Sequence, residues 1–189
     1  MTDPKTNPKT NPTTDPQANP AAGPITTPIT TPNVIRIARA TPNDRPAIMA
    51  LARADHAESI FGDLVFSERK FSTLFDKSID QPNSCLTLLA AIGGEIVGFL
   101  YCTLGQYFIA EDGVIANVNV VYVDQRLRQS LLGGKVALRL VRGVSKWARA
   151  QGAYLVMFYV TSGTAIAKTD RFFRKLGMTS LGGNYAMRL

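Results

Sequence analysis

Between residues 113 and 150 the chain reads GVIANVNVVYVDQRLRQSLLGGKVALRLVRGVSKWARA. Residues 113–124 are β-branched and free of proline, as a strand requires. The stretch downstream of the glycines, to about Ala150, carries apolar residues at the 3.6-residue period of a helix. Gly133 and Gly134 therefore mark a sharp handover from strand to helix. Such an elbow lines up free backbone N–H groups at the positive end of the helix dipole, which predicts a place to hold an anion, most often phosphate.

The charge distribution agrees. From Gln125 to Leu189 there are twelve Lys or Arg against one acid, Asp170, whereas Val34 to Asp124 has seven bases and eleven acids. The overall charge of +7 is thus concentrated in the C-terminal third. Placed at 100° per residue, Lys135, Arg139, Arg142, Lys146 and Arg149 fall within about 80° of one another. Val136, Leu140, Val144, Trp147 and Ala148 occupy a different arc, so one face packs and the other is a cationic stripe. The stripe is either a solvated face or an attractor of a phosphorylated ligand or nucleic acid. With only Trp147 as an aromatic, and that on the packed arc, a nucleic-acid module is the weakest reading.

Upstream, prolines recur at 4, 8, 12, 16, 20, 24, 28 and 32, separated mostly by Thr, Asn, Asp, Lys and Ala. Residues 1–33 cannot form a helix and have almost nothing to bury, which predicts a disordered arm. A four-residue beat does not match the three-residue turn of polyproline II and forms no proline stripe, so a tether is the expected role. Extended throughout, the arm would reach on the order of 100 Å.

Residues 34–189 are long enough for one domain, and the 46% apolar content of the chain supplies a core. VIRIARA at 34–40 reads as an opening strand. TPND at 41–44, with Thr41 or Asn43 as cap, starts a helix through IMALARADHAE. A second helix spans about 67–80, with Ser67 ahead of acidic Glu68. CLTLLAAI and EIVGFLYCTL, split by Gly93 and Gly94, predict a hairpin. After the central strand and helix, YLVMFYV at 154–160 is a buried strand, 165–177 a helix closed by Gly177, and TSLGGNYAMRL a strand-like end. The order β, α, α, β, β, β, α, β, α, β is an α/β arrangement with a mixed sheet. Cys85 and Cys102, in apolar surroundings with a single His in the chain, predict buried reduced thiols and no metal site. The absence of a long apolar run predicts neither signal peptide nor membrane span, hence a cytoplasmic location by default.

Two phosphate motifs fail. A Walker A loop needs Gly at Gln129 and Ser or Thr at Val136, and a dinucleotide fingerprint needs three spaced glycines. VYVDQRLRQSLLGGKVAL at 121–138 instead resembles the acetyl-CoA-binding segment of the GNAT superfamily of N-acetyltransferases, an apolar strand followed by R-x-x-G-x-G/A and a helix. Val121, Val123, Arg128 and Gly133 match; Leu131 stands at the first glycine. RFFRKLGM at 171–178 looks like the family's late F-Y-x-K-x-G-F segment, and the order of elements from Val34 onward is similar. The resemblance implies a mostly antiparallel mixed sheet flanked by helices, with acetyl-CoA as cosubstrate, an amine as acceptor and no metal. It implies a diphosphate cradle at Arg128, Gln129, Ser130, Leu131, Leu132, Gly133 and Gly134, with Val121 and Val123 as strand contacts. A homodimer is left open.

The family's usual acid and base positions are not filled here. The late-helix Tyr is Phe173, the Asn seven residues earlier is Ile166, and the fourth-strand carboxylate is Ile115. Asn117 and Asn119, placed by alternation on one side of an apolar strand, either make structural hydrogen bonds or orient a water or the acceptor. His56 and Glu58, in ADHAESIF, are candidates for the acceptor site, and Glu58 with the two asparagines for the chemistry. Freeing a lysine-like amine of its proton at pH 7 costs ~4.6 kcal/mol and an α-amine near pKa 8 only ~1.4 kcal/mol, so a site without an obvious base suits a low-pKa amine. The rival within this fold is a non-catalytic acyl-CoA-binding domain.

Overall fold

The computed structural model describes residues 34–160, 162, 163, 165–182 and 187. The arm expected at 1–33 lies outside them, as does most of the strand-like end. Of that end, residues 179–182 carry no regular secondary structure.

Strand β1 (Ile35–Arg39) leads into a single 3-10 turn at Pro42–Asp44 and helix α1 (Arg45–Glu58). The start is fixed by Thr41, whose N–H and hydroxyl both donate to Asp44 Oδ2, at 2.8 and 2.7 Å. Asn43, the other expected cap, lies inside the turn. Helix α2 (Glu68–Asp80) is capped by Ser67, whose Oγ accepts from the Lys70 N–H at 3.3 Å. Strands β2 (Cys85–Ile92) and β3 (Glu95–Gln106) form the expected hairpin. Its two turn residues, Gly93 and Gly94, have φ of 58° and 90°, the left-handed geometry that a two-residue hairpin turn demands. Strand β4 (Val114–Val123), helix α3 (Leu131–Ala150), strand β5 (Leu155–Phe158) and helix α4 (Ile166–Lys175) complete the order.

The five strands form one sheet in the order β1-β2-β3-β4-β5, antiparallel except for the β4–β5 pair. This is the mixed, mostly antiparallel α/β architecture expected. One face packs on α3, where Val136, Leu140, Val144 and Ala148 meet Leu88, Leu100 and Val118. The stripe of Lys135, Arg139, Arg142, Lys146 and Arg149 is exposed on the opposite side of that helix. The other face packs on α1 and α2, where Ile48, Ala52 and Phe75 meet Leu89, Phe99 and Tyr122. Cys85 and Cys102 are buried and free, and burial pushes the Cys102 thiol up to about 12, which keeps it protonated at neutral pH. Among the described residues no helix is long and apolar enough to cross a membrane.

One feature of β4 positions the site. Tyr101 is opposite Val120 but Cys102 is opposite Val118, so Asn119 is an extra residue, a β-bulge. A bulge reverses the phase of the side chains. Ala116 and Val118 face α3 before it, and Val121 and Val123 face α3 after it. Strict alternation would have put Val121 and Val123 on the side of the two asparagines; the extra residue turns them away.

Candidate functional site

The elbow between β4 and α3 is a run of tight turns. Leu127 N–H donates to Asp124 O at 2.9 Å, Arg128 N–H to Gln125 O at 3.3 Å and Ser130 N–H to Leu127 O at 3.0 Å. Arg126 grips Asp124 through its main-chain N–H and guanidinium, and those bonds hold the Asp124 carboxyl below its usual range. Ser130 caps α3: its Oγ accepts from the Gly133 N–H at 3.1 Å and donates to Leu127 O at 2.7 Å. Gly133 has no room for a side chain, because a Cβ there would stand 2.1 Å from Leu127 O. Gly134 faces open space, and its N–H already donates to Ser130 O at 3.2 Å. Leu131, where the family motif has glycine, keeps a negative φ and holds its side chain out in solvent. Among the described residues no acceptor meets the N–H groups of Gln129, Leu131 and Leu132. The elbow thus presents main-chain donors at a helix N-terminus.

Beside it, β4 has an open edge. Strand β5 pairs with β4 from Ile115 to Val118, and the Tyr159 N–H donates to Val118 O at 3.1 Å. Beyond Val118 the two strands part. The Asp124 N–H bond to Val97 O, 2.9 Å, fixes which residues bond across to β3. It follows that Val121 and Val123 turn their main-chain groups toward the edge that β5 has left.

The elbow is tied to α1 by Arg128. Its Nε donates to Val123 O at 2.6 Å, its guanidinium pairs with Glu58, and it stacks over the Tyr122 ring at 4.6 Å. The Tyr122 hydroxyl donates to the other Glu58 oxygen at 3.0 Å. Burial, then the bond to Glu58, pushes that phenol up to about 12. Glu58, a candidate for the acceptor site and the chemistry, therefore has both carboxylate oxygens engaged. His56 sets its ring edge-on to Phe66, centroids 5.5 Å apart, as a packed aromatic. One turn earlier in α1 is a residue the sequence reading passed over. Asp55 is raised to about 6, first by burial and then by Glu58, against the opposing pull of Arg128 and His56. Its i, i+3 spacing from Glu58 on one helix face was the available signal.

On the α1–α2 side of the sheet a cleft of about 640 Å³ opens at the bulge. Thr103, Asn117 and Asn119 form its floor, and Ile115, Met157, Tyr159, Tyr107 and Phe108 line its walls together with Gln106. Asn119 Nδ2 donates to Thr103 Oγ1 at 3.3 Å and to Asn117 O at 3.1 Å. Asn117 Nδ2 donates to Ile115 O at 3.3 Å, and its Oδ1 accepts from the Tyr159 hydroxyl at 3.1 Å. The expected buried strand at 154–160 is shorter and less buried than the sequence implies: β5 ends at Phe158, Tyr154 and Tyr159 are exposed, and Tyr159 thereby reaches this cleft. Phe173 packs on Phe158 at 4.8 Å between ring centroids, and Ile166 is exposed. Among the described residues no three His, Cys, Asp or Glu converge as metal ligands.

The profile described as "Acetyltransferase (GNAT) family" matches residues 47–178, well over half the chain. No curated protein matches. Among solved structures, a transcriptional regulator from Bacillus halodurans C-125 superposes with a TM-score of 0.61 at 18% identity, covering 82% of this chain and 100% of its own. A glucosamine-6-phosphate N-acetyltransferase from Arabidopsis thaliana gives 0.60 at 17% identity, with 82% of this chain and 98% of its own covered. AAC(6')-Iy, in complex with the bisubstrate analog CoA-S-monomethyl-acetylneamine, gives 0.61 at 13% identity, with the same coverage of 82% and 98%. At these identities the superpositions speak for the fold, and the profile match speaks for the family. The chain belongs to the acetyltransferase (GNAT) family of N-acetyltransferases.

Proposed function

We propose that the protein transfers an acetyl group from acetyl-CoA to a primary amine bound in the cleft over Asn117 and Asn119. The observation that carries this reading is the pairing of the elbow's main-chain donors with the open edge of β4, side by side. A diphosphate attached to an extended amide chain needs both, in that order. The N–H groups of Gln129, Leu131 and Leu132 receive the diphosphate, with Gly133 keeping the backbone of the elbow close-packed. Val121 offers its N–H and C=O and Val123 its N–H along the strand edge, the Val123 carbonyl being taken by Arg128. Arg128 serves through its backbone position and its brace to Glu58 rather than as a free cation. When bound, acetyl-CoA supplies an acetyl thioester open to attack by an amine.

The chain's own residues then orient and move protons. Asn119, with both Nδ2 hydrogens committed, turns Oδ1 to accept a hydrogen bond from the acceptor amine. The Tyr159 hydroxyl, positioned by Asn117 where β5 leaves β4, swings its proton from Asn117 Oδ1 to the leaving sulfur and regains one from the amine. It takes the place of the late-helix Tyr that Phe173 replaces. The transfer forms one C–N bond, breaks one C–S bond and moves one proton net from nitrogen to sulfur. Release of free CoA thiol, followed with a thiol reagent in the presence of an amine panel, tests the reading. Acceptor-dependent thiol release supports it, and acetyl-CoA binding without turnover of any amine would favour a non-catalytic acyl-CoA-binding domain instead.

A further inference from the structure

Resting on that acetyl-transfer reading, we propose that the acceptor is a low-pKa primary amine carried on an uncharged aromatic body, and not a polycationic or phosphorylated sugar. The cleft walls supply the argument. Among the described residues no charged side chain lines the cavity. The acids nearest to Phe108 along the chain, Glu111 and Asp112, stand outside its wall. A polycation bound there would find no carboxylate partner in the walls, and a phosphorylated sugar no cation.

What the cleft does offer is aromatic surface. Tyr107 and Phe108 meet on one wall with centroids 4.9 Å apart and planes tilted by 57°, and Tyr159 and Met157 stand on the β5 side. Phe108 is 83% exposed and Tyr107 43%, so their rings are held at the mouth rather than in the core. A flat ring inserted between these walls gains apolar burial and ring contacts. The floor is neutral too, consisting of the Thr103 hydroxyl and the amides of Asn117 and Asn119. None of these is a base able to strip a proton from an ammonium. Asp55 and Glu58 are not among the lining residues, and Glu58 is held by Arg128 and Tyr122. An amine that is substantially neutral at physiological pH needs no such base, and this selects an α-amine or aromatic amine over a lysine-like one.

The test is a panel that separates the ring from the amine's basicity. Rates of thiol release are measured with phenylalaninamide, glycinamide, 2-phenylethylamine, kanamycin and glucosamine 6-phosphate, while titration calorimetry follows acetyl-CoA binding without any acceptor. Phenylalaninamide is expected to exceed glycinamide in kcat/KM by about 20-fold, the worth of burying one ring. It should exceed 2-phenylethylamine by roughly 100-fold at neutral pH, a gap that narrows as the pH rises and the stronger base is freed. Phe108→Ala should lower the phenylalaninamide rate about tenfold more than the glycinamide rate, without risk to a fold in which that ring is exposed. Preference for kanamycin or glucosamine 6-phosphate, or equal losses for both amides in Phe108→Ala, overturns the inference while acetyl-CoA still binds. Failure of acetyl-CoA to bind overturns the acetyl-transfer reading itself, and this inference with it.

Discussion

Glu58, the last residue of α1, is ion-paired with Arg128, seventy positions further along in the elbow before α3. The pair is half-buried, with side-chain exposures of 28% and 34%, and the same carboxylate accepts from Tyr122. Solvent screening limits its worth to about 1 kcal/mol, but what it braces is the elbow proposed to hold the diphosphate. Glu58→Ala should therefore weaken acetyl-CoA binding by about five- to tenfold, since each decade is 1.4 kcal/mol. Calorimetric titration of the variant checks this; unchanged affinity would show that the brace does not reach the elbow.

The two glycines of the elbow should respond differently. Gly133→Ala puts a Cβ against Leu127 O, forces the turn to shift and should destabilise the domain by about 2 kcal/mol. Gly134→Ala meets nothing and should stabilise α3 by roughly 0.5–1 kcal/mol through helix propensity. Urea unfolding of both variants decides, and equal effects would contradict the packing described for Leu127.

Asp55 makes stability depend on pH in a direction opposite to that of most carboxylates. Its pKa is raised from 3.8 to about 6, so the folded chain holds that proton more tightly than the unfolded one. Stability is then lost as pH rises from about 4 to about 6 and is flat above. Asp55→Asn, which cannot ionise, escapes the loss and should be more stable than the parent at pH 7 by roughly 3 kcal/mol, the gap closing toward pH 4. A difference independent of pH would place Asp55 in a solvated setting.

Tyr159→Phe removes a hydroxyl from a partly exposed ring and leaves the ring itself in place. With the proton donor gone and Asn117 Oδ1 without its partner, kcat should fall by about 100-fold while acetyl-CoA affinity stays the same. Steady-state kinetics beside a binding titration reads the two apart. An unchanged kcat would assign the proton to water.

The parts of this molecule that depend on near neighbours in the chain were legible before the structure. The Gly93–Gly94 hairpin, the Ser67 cap and the packed and charged arcs of α3 each follow from local stereochemistry or helical period. The elbow was equally plain, because a strand, a close-packed glycine and a helix lie in one stretch. What the sequence hid depends on partners far along the chain. NVNVVYV alternates without interruption, and only its pairing with β3 reveals the bulge at Asn119 that turns Val121 and Val123 to the other face. Glu58 reads as a free carboxylate until Arg128 arrives beside it. Asp55 and Tyr159 look like helix and strand filler, and become chemically notable through burial in one case and the Asn117 contact in the other.

Whether the elbow's main-chain donors hold the diphosphate of acetyl-CoA is decided by titration calorimetry of acetyl-CoA into the parent protein and into Gly133→Asp. One saturable site is expected in the parent and no heat of binding in the variant, which adds a side chain and a negative charge where Leu127 O leaves room for neither, with circular dichroism confirming that the variant is folded. A folded variant that binds as tightly as the parent, or a parent that does not bind at all, would contradict that role for the elbow.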